Sequence, residues 1–72
     1  MNIYRMSPEE IYETFAGQVD PQELVEQGRA TLTADLMVKE GLLHEVAFYA
    51  ADQLLEFAQT QLHSQENFGD GD

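Results

Sequence analysis

Residues 42–63 read Leu42-Leu43-His44-Glu45-Val46-Ala47-Phe48-Tyr49-Ala50-Ala51-Asp52-Gln53-Leu54-Leu55-Glu56-Phe57-Ala58-Gln59-Thr60-Gln61-Leu62-His63. At about 100° per residue, Leu43, Val46, Ala47, Phe48, Ala50, Ala51, Leu54, Leu55, Phe57, Ala58 and Leu62 fill an arc about 200° wide. Glu45, Tyr49, Asp52, Gln53, Glu56, Gln59, Thr60 and His63 fill the remainder. An ordinary surface helix needs an apolar stripe only about half that wide. This helix therefore has to be covered from two sides. Either two further helices of the chain supply both covers, or a second copy of the chain supplies one.

Upstream, two helix-start signals recur. Ser7 is placed to cap a helix, Pro8 suits its first position, and Glu10 stands where a capping box needs an acid, with Met6 and Ile11 as a hydrophobic staple. Asp20, Pro21 and Glu23 repeat the pattern, with Val19 and Leu24 as the staple pair. The first signal predicts a short helix over 8–16, closed by Gly17 and offering Ile11, Phe15 and Tyr12 to a core. The second predicts a helix over 21–40 that stops at Gly41. Its apolar stripe runs through Leu24, Val25, Leu32 and Leu36, with Ala30, Ala34, Met37 and Val38 on the other side of its second half. The stripe drifts, and Gly28 interrupts it, so residues 21–40 are expected to form either one helix bent near Gly28, the favoured reading, or two shorter helices. The expected fold is all-α: a small three-helix bundle forming a single domain over residues 1–63. Residues 64–72 (Ser-Gln-Glu-Asn-Phe-Gly-Asp-Gly-Asp) have no periodicity and are expected to form a flexible acidic tail.

The run Leu36-Met37-Val38-Lys39-Glu40-Gly41-Leu42-Leu43-His44-Glu45-Val46-Ala47-Phe48-Tyr49-Ala50-Ala51 resembles the helix–Gly–helix turn of tetratricopeptide-type hairpins. It is similarly close to the central hairpin of HEPN helical bundles. Both resemblances imply an αα-hairpin at Gly41. The HEPN nuclease signature, an Arg followed several residues later by His, is missing, so no catalytic residue carries over.

Charge bounds the function more tightly than any motif. Fourteen acidic residues face three basic ones, a formal net charge of −11 on 72 residues, yet 43% of the chain is hydrophobic. Acidic chains stay disordered when apolar residues are scarce; here they are plentiful enough for a folded body. Eleven of the acids and all three basic residues precede the expected tail. Such a surface repels nucleic acids and anionic membranes and attracts basic partners. Only Arg5, Arg29 and Lys39 could contact phosphates, and Glu26 and Asp35 lie within helical reach of the last two. No nucleic-acid binding by direct contact is expected. With no cysteine, there is no disulfide framework and no thiolate site, which suits a reducing cytoplasm. The first residues do not resemble a signal peptide, and no run approaches the ~18 apolar residues of a membrane span.

Catalytic and metal chemistry find little to work with, and no enzyme activity, catalytic residue, metal or cofactor is expected. His44 is read as a boundary histidine that bonds the last carbonyls of helix 2 across the Gly41 turn. His63 and Glu66 stand at ligand spacing but have no third ligand. The carboxylate pairs Glu9/Glu13 and Asp52/Glu56 fall on solvent faces, without the contrasting environments that acid–base pairs need. Asp70-Gly71-Asp72 matches only the opening of a calcium loop.

Two functions remain as expectations. The first is a non-enzymatic protein-interaction module, a regulator, inhibitor or adaptor. It would bind a protein partner or a second copy of itself through the apolar surface of helix 3, at Phe48, Leu55, Phe57 and Leu62. The alternative is an acidic mimic of nucleic acid that occupies the basic groove of a nucleic-acid-binding protein, as phage-encoded anti-CRISPR proteins often do. Its contact residues would be Glu45, Tyr49, Asp52 and Glu56, whose three acids are spaced by about 10 Å and 6 Å along the axis.

Overall fold

The computed structural model describes residues 2–70, with side chains described for residues 2–64. It is an all-α, three-helix bundle: α1 spans Pro8–Ala16, α2 Pro21–Glu40 and α3 His44–Asp70, after a 3-10 turn at Ile3–Arg5. The entry to α1 follows its sequence signal. Glu10 N–H donates to Ser7 Oγ at 3.2 Å, and Ser7 N–H donates to Glu10 Oε1 at 2.9 Å, so the capping box is complete. Asp20 holds the N-cap position of α2 in an extended conformation, but its side chain makes no cap hydrogen bond, contrary to expectation. Pro21 still supplies the pre-set φ of a first helical residue. Glu23 accepts instead from Gln27 Nε2, one turn on, at 3.2 Å.

Gly28 breaks α2. At φ 84° and ψ 163° it leaves the helical region altogether. In an unbroken helix Leu24 and Leu36 would point about 120° apart; with the break, Leu24, Leu32 and Leu36 are all buried. The drift in the stripe was therefore a real signal of bending. Beyond the break, Thr33 is buried and donates from Oγ1 to the Arg29 carbonyl at 2.8 Å. Gly41 then ends α2 in the left-handed conformation, φ 69°, and turns the chain back into α3 as an αα-hairpin.

α3 supplies the centre of the core. Ala47, Ala50, Ala51, Leu54 and Ala58 are buried, against Ile11 and Ala16 of α1 and the leucines of α2. Four of these five are alanines, which lets the covering helices approach closely. Both covers of the wide arc come from the chain itself: α2 packs along α3 most extensively and α1 takes the other flank. Tyr12 ties α1 into place, with its hydroxyl donating to the Val19 carbonyl and its ring 4.7 Å from that of Phe57. Ile3, ahead of the first expected helix, is also buried.

The ends of α3 differ from expectation. It begins at His44, two residues late, with the Leu43 carbonyl accepting from Ala47 N–H at 2.8 Å. Its backbone continues through Asp70, past the expected end at residue 63. The side chain of Glu66 and residues 71–72, invoked in the readings of a metal pair and a calcium loop, lie outside the described residues. No helix among the described residues is long and apolar enough to cross a membrane.

Candidate functional site

Resetting the helical phase at Gly28 has a consequence on the outside of α2. With Leu32, Thr33 and Leu36 turned inward, Ala30, Thr31, Ala34, Met37 and Val38 are left exposed. None of the five carries a charge. Ala30, Thr33, Ala34 and Met37 line one side of a groove of about 280 Å³, whose other side is His44 and Phe48 from the start of α3. The apolar side chains here are open to solvent: Val38 is 83% exposed, Phe48 43% and Met37 38%.

A charge held in place covers Phe48, one of the groove's walls. The Arg29 guanidinium lies over the Phe48 ring, 4.8 Å from its centroid, and its Nη1 reaches Asp52 Oδ1 at 3.2 Å. The helix-internal partner expected for Arg29, Glu26, instead accepts from Gln22 at 3.4 Å. Lys39 does pair with Asp35 one turn back, at 3.8 Å. His44 makes no hydrogen bond to the carbonyls ending α2; it is exposed, and its ring lies 6.2 Å from Phe48 in the groove wall.

The four apolar residues singled out on α3 do not form one surface. Phe48 is exposed and faces α2, whereas Leu55 is half-buried against the core. Phe57 is half-buried on the opposite flank, beside Tyr12. Leu62 lies further along, in a shallow depression with Val25 and Thr60. The acidic set is also divided. Glu45 and Glu56 are exposed, but Asp52 between them is paired with Arg29, and Tyr49 is half-buried beneath Tyr4, ring centroids 4.8 Å apart. The outer face of α2 received no role from the sequence, although its signal was present: no charge at 30, 31, 34, 37 or 38.

A further cavity of 130 Å³ between α1, α2 and α3 is lined by Phe15, Leu24, Leu36 and Gln27, whose Oε1 is buried without a partner. Among the described residues, no three His, Cys, Asp or Glu side chains gather closely enough to hold a metal ion. No family model matches the chain, and neither does any curated protein or solved structure.

Proposed function

We propose that this chain is a non-enzymatic protein-interaction module, a regulator, inhibitor or adaptor, that docks a protein partner through the apolar face formed by the second half of α2 and Phe48 of α3. The observation carrying this reading is the exposure of Met37 and Val38 on a face of α2 without charge, beside the part-exposed Phe48 ring, in a chain of charge −11. Scattered exposed apolar residues need no explanation, but a contiguous apolar patch rimmed by polar groups is the usual mark of an interaction site. Burial of such a patch yields ~25 cal/mol per Å² before the costs of association. The acids elsewhere would keep the free protein soluble and discourage adhesion at other faces.

The alternative, acidic mimicry of nucleic acid, draws less support from the geometry. Its row of Glu45, Asp52 and Glu56 loses the middle charge to Arg29. A mimic needs its phosphate-like charges free.

The experiment that separates the two is retention of a partner by variants. The full chain is used to capture its partner from native cells; the partner is identified by mass spectrometry and then re-bound in purified form. Met37→Glu should abolish binding, the Glu45→Lys/Glu56→Lys double variant should retain it, and the complex should survive ~1 M salt, where the Debye length is ~3 Å. The reverse pattern would establish the mimic and end the apolar reading.

A further inference from the structure

We infer that the cavity between α1, α2 and α3 is a binding site for a primary ammonium carried on a short apolar stem, either a free alkylamine or a lysine side chain. It shares no lining residue with the groove on the exposed face of α2, and the inference goes beyond the docking reading.

Size and lining set the stem. The cavity measures about 130 Å³, close to the ~150 Å³ apolar cavity that admits benzene. A space of that size takes a stem of about four to six carbons. Phe15, Val19, Leu24, Leu36 and Leu54 line it, so the stem meets side chains of its own kind. Leu24 and Leu36 come from opposite sides of the Gly28 break, which brings both halves of α2 to one cavity.

A buried oxygen calls for a donor. Gln27 Nε2 donates to Glu23 Oε2 at 3.2 Å. A carboxylate can only accept, so this bond fixes the orientation of the amide and leaves Oε1 on its other side. That oxygen is buried without a hydrogen-bond partner, and Gln27 lines the cavity. An acceptor in this state costs free energy that an incoming donor relieves. A water could meet the same need; the charges around the cavity select a cation instead.

Three carboxylates, Glu23, Asp35 and Glu40, line the cavity against one cation, Lys39. The Lys39 side chain is 72% exposed and is held by Asp35 at 3.8 Å, while Glu23 and Glu40 stand exposed. The last turn of α1 acts in the same direction. Phe15 and Ala16 form part of the wall, and that turn contains no basic residue to complement the negative end of the helix. An anion would meet this lining as a like charge. A neutral alcohol could satisfy Gln27 but none of the carboxylates. A guanidinium presents a planar fork suited to a bidentate carboxylate, whereas an ammonium is a compact charge that one buried oxygen can cap.

The test is an NMR titration of the isotope-labelled full chain with pentylammonium. Saturable shifts should appear at Phe15, Leu24 and the Gln27 side-chain amide. The expected Kd is about a millimolar, well within the ceiling for a ligand of about six heavy atoms. Pentanol and pentylguanidinium should each bind at least ~tenfold more weakly, since each lacks either the charge or its compact form. Pentanoate should leave the cavity residues unmoved. Gln27→Met keeps the length of the side chain and removes its acceptor, and should weaken pentylammonium ~tenfold. Glu40→Gln, at an exposed position, should weaken it about threefold. Nα-acetyl-lysine amide separates the two sources: binding as tight as that of pentylammonium assigns the site to a partner's lysine, and its exclusion assigns the site to a free amine. Absence of saturable shifts at the cavity overturns the inference. So does pentanol binding as tightly as pentylammonium, which would make the cavity merely apolar, or undiminished binding by Gln27→Met.

Discussion

Arg29 and Asp52 are 23 residues apart in the chain, yet the guanidinium of one meets the carboxylate of the other at 3.2 Å across the α2–α3 hairpin. Both side chains are about half exposed, so water and salt screen the pair, and its coupling should be below ~1 kcal/mol. Arg29 has a second task, since it covers Phe48 at 4.8 Å, a contact of ~0.5–1 kcal/mol at an exposed site. Arg29→Ala should therefore cost more than Asp52→Ala. Urea unfolding of both single variants and the double variant checks this; equal costs would remove the stacking contribution.

Gly28 sits at φ 84° and ψ 163° with no atom within 4 Å of where a Cβ would stand. Steric room is therefore not what glycine supplies; the backbone conformation is. An alanine held in this region costs ~1–3 kcal/mol. Gly28→Ala should lower the urea midpoint accordingly, either by that strain or by straightening α2 and pulling Leu24 off the core. An unchanged midpoint would mean that the break is maintained by packing alone.

Ala51 and Ala34 lie on the same hairpin, one fully buried on α3 and the other exposed on α2. Ala51→Leu forces three extra carbons between helices whose approach depends on Ala47, Ala50, Ala51 and Ala58. It should destabilise by ~1–3 kcal/mol or more. Ala34→Leu should stay within about ±0.5 kcal/mol. Thermal unfolding of the two variants measures the contrast, and similar losses would contradict the placement of Ala34 on the surface.

The elements were legible because their signals are local. Ser7, Pro8 and Glu10 specify the start of α1 by bonds spanning three residues, and Gly41 ends α2 by a conformation that glycine adopts freely. The break at Gly28 was also readable, since a glycine coincided with a slip in the apolar stripe. Partners across the bundle were not. Arg29 had an acid within helical reach in Glu26 and took one from α3 instead, a choice fixed only by how the hairpin closes. The exposed apolar face of α2 was given no role for the same reason. The wide arc on α3 drew attention, but the chain's own helices cover most of it, and the exposed remainder gathers on α2. Periodicity separated the two faces of α2 after Gly28, but which of them meets α3 depends on how the hairpin closes.

Leu43 occupies the N-cap of α3, where its carbonyl accepts the first helical hydrogen bond from Ala47 and its side chain is 71% exposed. A leucine there can accept nothing from the free N–H groups of the first turn, whereas serine, threonine, asparagine or aspartate can. It gains little in return, being mostly in water. Leu43→Ser should therefore stabilise the fold by about 1 kcal/mol, raising Tm by ~4–8 °C for a domain of this size. Serine is preferable to aspartate for this test because it adds no charge beside Glu45, and any gain then reports the cap itself. The comparison Leu43→Ala removes the same apolar surface without adding an acceptor. If serine and alanine give the same Tm, the cap contributes nothing and the change reflects only loss of the leucine; a gain confined to serine assigns it to the missing hydrogen bond.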